Sequence, residues 1–169
     1  MSNKRLATVL SIGVIAATGS LAWSDEHETA AVAKNLPTAK VTLQQGLTAA
    51  ESQGKPISGK YEVEDGHFQL SVYTAESGKF SEVLIDHNTG KIAKTEAITE
   101  GDDLADAKKQ IEACAKSKKS LQSAIDQAEQ ASTGYRAVSV TPRVSGGRAV
   151  AVVTLVKGTS SKSVSEPLE

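Results

Sequence analysis

Hydrophobic side chains first take up helical spacing at Leu43, Leu47 and Ala50, which fall on one face of a helix. Thr38 or Thr42 can cap this helix at its N-terminus, because a threonine hydroxyl accepts a hydrogen bond from the first turn. The helix is expected to run to about residue 53, where a glycine and then a proline stop it.

After this helix the spacing changes to strict alternation. Phe68, Leu70 and Val72 face one way and the polar residues between them face the other, which is the pattern of a half-buried strand. Asp65-Gly66 supplies the positive φ angles that a tight hairpin turn needs. The same pattern predicts strands at 57–64, 67–74, 79–86, 91–97, 135–143, 148–156 and 161–167.

A second helical stretch covers 104–131, and we predict one long helix there. Its hydrophobic stripe lapses at Lys116–Lys119, so a break at that point is the alternative. The strand at 149–156 is hydrophobic on both faces, unlike any strand before it. Such a strand is covered on both sides, in a core or at an interface.

The chain contains an internal repeat. The segment Leu43–Glu51 returns as Leu121–Glu129, with Leu, Gln, Ala and Glu at the same four places and Leu47 matched by Ile125. Each copy is followed by antiparallel strands. The sequence therefore predicts an α+β protein of two tandem units at 40–100 and 101–169, each a helix followed by a three-stranded antiparallel sheet, joined through a long helix.

Residues 1–24 have the pattern of a secretory signal peptide: Lys4-Arg5, an apolar run, and the small-residue cleavage site Ala22-Trp23-Ser24. The apolar run is too short to span a bilayer, although an uncleaved anchor is the alternative. We expect a periplasmic or secreted protein with no membrane span after cleavage. Residues 25–39 are predicted to be a flexible leader, with at most a helical turn over Thr29–Lys34.

Composition excludes several function classes. The net charge of −1 gives no electrostatic reason for binding nucleic acid or anionic membranes. Cys114 is the single cysteine, so no intramolecular disulfide or cysteine-based metal cluster can form. We expect it to be a buried, inert thiol on the apolar face of the second helix, with an intermolecular disulfide as the alternative.

The third strand leads into an aspartate and a Thr-Gly-Lys turn, with the residues Val83, Ile85, Asp86, Asn88, Thr89, Gly90, Lys91 and Ile92. This motif, together with the preceding helix and strands, resembles the PepSY domain family over about residues 40–97. The second unit matches only in its helix motif and strand order. The motif chemistry is structural, because aspartate and asparagine side chains accept backbone hydrogen bonds in turns and glycine adopts positive φ.

The resemblance implies a secreted or periplasmic binding module. Its relatives occur in the propeptides of thermolysin-type proteases, which they inhibit and help to fold, and in stand-alone envelope proteins. The sequence has no nucleophile, zinc-protease or phosphate-binding motif. We therefore expect a protein that is not an enzyme, uses no cofactor, and inhibits or chaperones an envelope peptidase whose strand adds to a sheet edge.

Four residues are the candidate partner surface: Tyr61, Tyr73, Val150 and Val152. The alternative function is a structural or assembly role in the periplasm, with homodimerisation through the doubly hydrophobic strand. A metal-handling role is a third alternative.

Cleavage after Ser24 would leave the N-terminus Asp25-Glu26-His27, whose amine, amide nitrogens and imidazole can bind Cu(II) or Ni(II) in a square plane. His67 and His87 could form a second small site with a nearby carboxylate. The favoured interpretation is that His67 and His87 are two solvated histidines near turns and bind no metal.

Overall fold

The computed structural model describes residues 21–169, so most of the predicted signal peptide lies outside the described residues. The helices are α1 (Leu21–Asn35), α2 (Leu43–Ala50), α3 (Gly101–Ala115) and α4 (Leu121–Gln130). The strands are β1 (Lys55–Glu64), β2 (His67–Glu76), β3 (Lys79–Ile85), β4 (Ile92–Ile98), β5 (Arg136–Ser145), β6 (Arg148–Lys157) and β7 (Ser160–Pro167). Short 3₁₀ turns follow α1 and α2. All seven predicted strands are therefore present.

The strands form one antiparallel sheet in the order β4-β3-β2-β1-β5-β6-β7. At its centre the two units join, with Gly59 opposite Val140 and Lys60 opposite Ser139. The predicted fold of two separate units, each with its own three-stranded sheet, is therefore wrong. A separate unit would leave β1 or β5 with an unpaired edge, and their pairing removes both edges.

Helix α2 begins with one of the two predicted N-cap residues. Thr42 caps the helix: its hydroxyl accepts from the Gln45 backbone nitrogen at 3.2 Å, and the Gln45 side chain accepts from the Thr42 backbone at 2.8 Å. This reciprocal pair is a capping box. Gly54 follows the helix with a φ of 138°, which a larger residue adopts only with strain.

The predicted long helix over 104–131 is instead two helices, α3 and α4, separated where the hydrophobic stripe lapses. Ser120 caps α4 by accepting a hydrogen bond from the Ser123 backbone at 3.1 Å. The Lys118 and Lys119 backbone nitrogens donate to the Leu168 carbonyl at 2.6 and 3.1 Å. The break therefore anchors the C-terminal end of the chain.

The predicted flexible leader is also wrong for its described part. Helix α1 and the 3₁₀ turn Leu36–Thr38 occupy it, and Val32, Leu36 and Ala39 are buried. The Arg136 side chain donates to the Leu36 and Ala39 carbonyls, both at 3.1 Å. This contact joins residues about a hundred positions apart, so local pattern could not predict it.

The sheet carries helices on both faces. On one face, α2 and α4 cover the main hydrophobic core, which includes Leu47, Leu70, Ile125 and Val153. On the other face, α3 packs on a smaller cluster that includes Phe80 and Cys114, and α1 lies beside β1. Among residues 21–169, no helix combines the length and apolar character needed to cross a lipid bilayer.

The repeated residues have a definite place in this architecture. The repeated leucines and alanines are buried under the sheet. The repeated polar residues connect the two helices: Gln44 donates to Glu129 at 3.0 Å, and Gln122 donates to Glu51 at 3.3 Å. The repeat therefore encodes a reciprocal contact between its own two copies.

Candidate functional site

A polar cleft lies on the α1/α3 face of the sheet. Its floor includes a row of cross-strand partners that runs over β1, β5, β6 and β7. The members of this row are Lys60, Ser139, Thr154 and Ser163. Adjacent strands are about 4.8 Å apart, so the row places three evenly spaced hydroxyls beside the Lys60 ammonium.

Helices α1 and α3 form the walls of the cleft. Glu28 and Thr29 extend from α1, and Asp103 and Gln110 extend from α3. The Ser58 hydroxyl donates to Gln110 at 2.7 Å, which fixes α3 to the floor. The cleft has a volume of about 780 Å³. That volume is in the range of pockets that bind ligands.

A hydrogen-bonded network closes the floor at β1 and β2. The Glu62 carboxylate pairs with Lys60 and accepts from Ser71 at 2.5 Å and from Gln69 at 3.2 Å. Burial favours the neutral acid, but these donors outweigh it and hold the pKa of Glu62 below its usual value. Burial also opposes the charge on Lys60, yet the Glu62 carboxylate raises its pKa overall. Both groups are thus held charged.

Two neighbouring groups shift towards their neutral forms. Burial raises the pKa of Tyr73, with the Glu82 carboxylate adding to the effect. Burial likewise raises the pKa of Glu82, helped by the charges of Glu62 and Glu64. The β2/β3 side of the face therefore has a tyrosine that keeps its O–H donor and a carboxyl group that is protonated more readily than usual.

The arrangement suits binding of a polar surface. Ser139 and Thr141 have no side-chain hydrogen bond within residues 21–169, so their hydroxyls can donate to or accept from a bound group. Lys60 can add a charged donor, and Asp103 an acceptor. The cleft therefore offers both kinds of hydrogen-bonding partner.

Only part of the predicted partner surface comes together. Tyr61 and Tyr73 both line the cleft, although Tyr61 is only 3% exposed; its hydroxyl donates to the Val41 carbonyl and its ring stacks on Phe68. Val150 and Val152 lie half-buried on β6, away from the cleft lining. Strand β6 is paired with β5 and β7 on its two sides, so it offers no free edge to a second copy. Homodimerisation through this strand stays a prediction.

The predicted motif turn has the structural role expected of it. The Asp86 carboxylate accepts from the backbone of Asn88 at 2.8 Å and of Thr89 at 2.9 Å, and these donors lower its pKa. Gly90 has a φ of 73°. The Lys91 carbonyl accepts from the Asp86 backbone at 2.8 Å, which closes the turn. Asn88 contributes its backbone N–H to this arrangement.

The same turn is fixed to the start of α2. The His87 carbonyl accepts from Lys40 and Val41 at 2.9 and 3.0 Å, and its ring packs against Phe68. His67 lies at the start of β2, and His27 is exposed on α1. Within the described residues, no three His, Cys, Asp or Glu side chains are grouped to hold a metal. Copper binding at His27 stays a prediction, since it depends on the cleaved N-terminus.

Cys114 is buried, as predicted, with 6% exposure. Its sulfur lies 4.0 Å from the Ile57 carbonyl, and burial raises the pKa of the thiol. A thiol in this setting is a weak nucleophile.

Sequence reasoning missed the cleft and Arg136. The alternation of Ser161, Ser163 and Ser165 in β7 indicates a polar face. What it could not indicate is that β1 and β5 would bring this face beside Lys60. Arg136 carries no local signal, since its acceptors lie in the segment before α2.

Comparison with known proteins assigns no family. No protein-family model matches the chain, and no curated protein matches it. Among solved structures, it is similar to a putative lipoprotein from Clostridium difficile 630, with 12% sequence identity and a TM-score of 0.44. The match covers 78% of this chain and 88% of that one. So distant a similarity carries no functional argument, and the PepSY resemblance stays a prediction.

Proposed function

We propose that this chain is an exported, non-enzymatic binding module that binds an envelope protein through the polar cleft between the sheet, α1 and α3. The observation that supports it best is the cleft itself, with its row of hydroxyls and Lys60. A polar loop of a partner presents backbone N–H and C=O groups. The donors and acceptors of the floor complement both.

The partner we propose is an envelope peptidase that the module inhibits or chaperones. The support is the resemblance of residues 40–97 to PepSY domains, with the turn at Asp86 formed as that motif requires. Export is supported by the signal-peptide pattern of residues 1–24. The cleft replaces the sheet edge as the proposed contact, because it combines walls and floor in one concave site.

The test is capture from a periplasmic extract on the immobilised mature protein, with identification of bound proteins by mass spectrometry. Ser139→Arg fills the middle of the cleft floor without removing a side-chain hydrogen bond. Ser145→Arg, at the exposed end of the same strand, is the matched control. We expect a peptidase to bind the wild type and the control and to be lost with Ser139→Arg.

Two results would count against the proposal. Capture of the same proteins by Ser139→Arg would show that the cleft is not the contact. Recovery of cleft-dependent partners without any peptidase would keep the binding site but reject the peptidase assignment.

A further inference from the structure

Strand β4 forms one edge of the sheet. It pairs with β3 on one side, and no strand among residues 21–169 covers its other side. Its residues are exposed except for Ile98, which is half-buried. An open edge of this kind offers unpaired backbone N–H and C=O groups to another strand.

The sequence of β4 is complementary to itself. Around Thr95, Lys94 stands on one side and Glu96 on the other, and these are flanked by Ala93 and Ala97. Antiparallel pairing of two copies about a two-fold axis through Thr95 would place each Lys94 opposite the second copy's Glu96. A two-fold interface uses the same patch twice, so a patch of this kind must be complementary to itself.

The Lys94 and Glu96 side chains already have the arrangement that this pairing requires. Lys94 and Glu96 share one face of the sheet, where they form an ion pair at 2.8 Å with 58% and 50% of their side-chain surface exposed. In the paired arrangement the four charges alternate in sign around the axis. Cross-strand pairs of opposite charge stabilise a sheet, as do paired threonines such as the two copies of Thr95.

An exposed hydrophobic residue on β4 also favours pairing with a second copy. Ile92 is 36% exposed and is one of two large hydrophobic residues exposed in the described part of the chain, together with Val144. In the pairing of β3 with β4, Lys94 lies opposite Leu84 and Ile92 lies opposite Ile85. Ala93 has no partner on β3, so a bulge interrupts the register there. The two-fold operation brings Ile92 to the end of the partner strand.

We propose that the protein forms a symmetric homodimer by antiparallel pairing of β4 with β4 of a second copy, with Lys94 and Glu96 as reciprocal ion pairs. The pairing joins two seven-stranded sheets into one continuous sheet. It leaves the cleft open, because the cleft floor runs over β2, β1, β5, β6 and β7 and does not include β4.

The opposite edge, β7, is less suited to this role. Lys162 and Glu166 are also placed symmetrically, around Val164, but the Lys162 ammonium lies over the Tyr135 ring, 4.6 Å from its centroid. Pro167 removes a backbone donor from the end of that strand. This edge therefore provides a control in which the charge pattern is similar and the pairing is not expected.

The experiment measures the mass of the mature chain in solution by sedimentation over a range of concentrations. We expect the wild type to reach twice the monomer mass. Lys94→Glu and Glu96→Lys should each be monomeric, because like charges then face each other. The double variant K94E/E96K restores the pattern in reverse and should dimerise again. An equimolar mixture of the two single variants should form a heterodimer.

Controls separate this surface from the rest of the molecule. Lys162→Glu on β7 and Ser139→Arg in the cleft should keep the wild-type mass, and circular dichroism should show that every variant is folded. A wild type that stays monomeric at its highest soluble concentration would overturn the proposal. So would a dimer that persists in both single variants, or a folded double variant that does not dimerise.

Discussion

Arg136 is the residue that fixes the N-terminal segment to the sheet. Its guanidinium donates to the carbonyls of Leu36, Ala39 and Val41, the last at 2.8 Å, and it lies over the Tyr61 ring. Carbonyl oxygens balance the partly buried cation. Hydrogen bonds from charged donors contribute about 1.5–3 kcal/mol each, so this contact is a major stabilising feature.

Replacement of Arg136 by methionine keeps much of the side-chain volume and removes all of these donors. We expect the free energy of unfolding to fall by about 3 kcal/mol, because three carbonyls lose charged partners. Chemical denaturation measures it. Arg143→Met, on the exposed part of the same strand, is the control and should change stability by less than about 0.5 kcal/mol. Equal effects of the two substitutions would refute the role of Arg136.

Asp86 gives a prediction about pH. Backbone donors lower its folded-state pKa, so its carboxylate stabilises the fold above the unfolded-state pKa of about 3.9, and this contribution disappears as the pH falls through the folded-state value. The wild type should therefore be more stable than Asp86→Asn at pH 7, and the difference should vanish in strong acid. Urea denaturation across this range measures it. The control Asn88→Ala keeps the Asp86 carboxylate and should retain the wild-type pH dependence. A stability difference between the wild type and Asp86→Asn that does not change with pH would contradict the stabilising role of the Asp86 carboxylate.

At the scale of elements, helix α2 lies close to the sheet because of one glycine. A Cβ at Gly46 would lie 2.5 Å from Cδ2 of Leu70, whose side chain is fully buried and would have to shift within the packed core. At the equivalent place in α4 the chain has Ala124. The second copy of the repeat therefore accommodates a Cβ at the place where the first copy has no space for one.

Gly46→Ala should lower the free energy of unfolding by about 1–2 kcal/mol. Overpacking costs about 1–3 kcal/mol, which exceeds the gain of up to about 1 kcal/mol from helix propensity. Thermal or chemical denaturation provides the measurement. In a Leu70→Ala background, where the obstruction is gone, the same substitution should become neutral or stabilising. An unchanged penalty in that background would mean that Leu70 is not the cause.

The elements themselves were largely predictable. Periodicity located all seven strands, and Thr42 was one of two predicted caps. The lapse at Lys116–Lys119, which was the alternative to one long helix, marks the break between α3 and α4. Pairing between distant elements was not predictable, because β1 and β5 carry no local signal for each other. The cleft depends on that pairing, so its floor could not be assembled from the sequence even though its serines and threonines were visible.

At the scale of the whole molecule, the repeat forms a single structure with an internal two-fold relationship. Strands β1 and β5 pair at the centre, and α2 and α4 exchange hydrogen bonds through Gln44 and Gln122. The copies have diverged around this shared centre. The first contributes Lys60 to the cleft floor, whereas the second contributes Ser139, Thr154 and Ser163. The proposed binding site therefore exists only when both units are joined.

The central claim is that β1 and β5 join the two units into one sheet, and a disulfide test addresses it most directly. In a Cys114→Ser background, Lys60→Cys and Ser139→Cys would place two thiols directly opposite each other across this junction. Mild oxidation of the folded protein should link the two cysteines within one chain, and mass spectrometry of the linked peptides detects the bond. The pair Lys60→Cys and Arg143→Cys, farther apart on the same strands, should not link. A folded protein that forms no bond between positions 60 and 139, or links the control pair as readily, would contradict the single sheet.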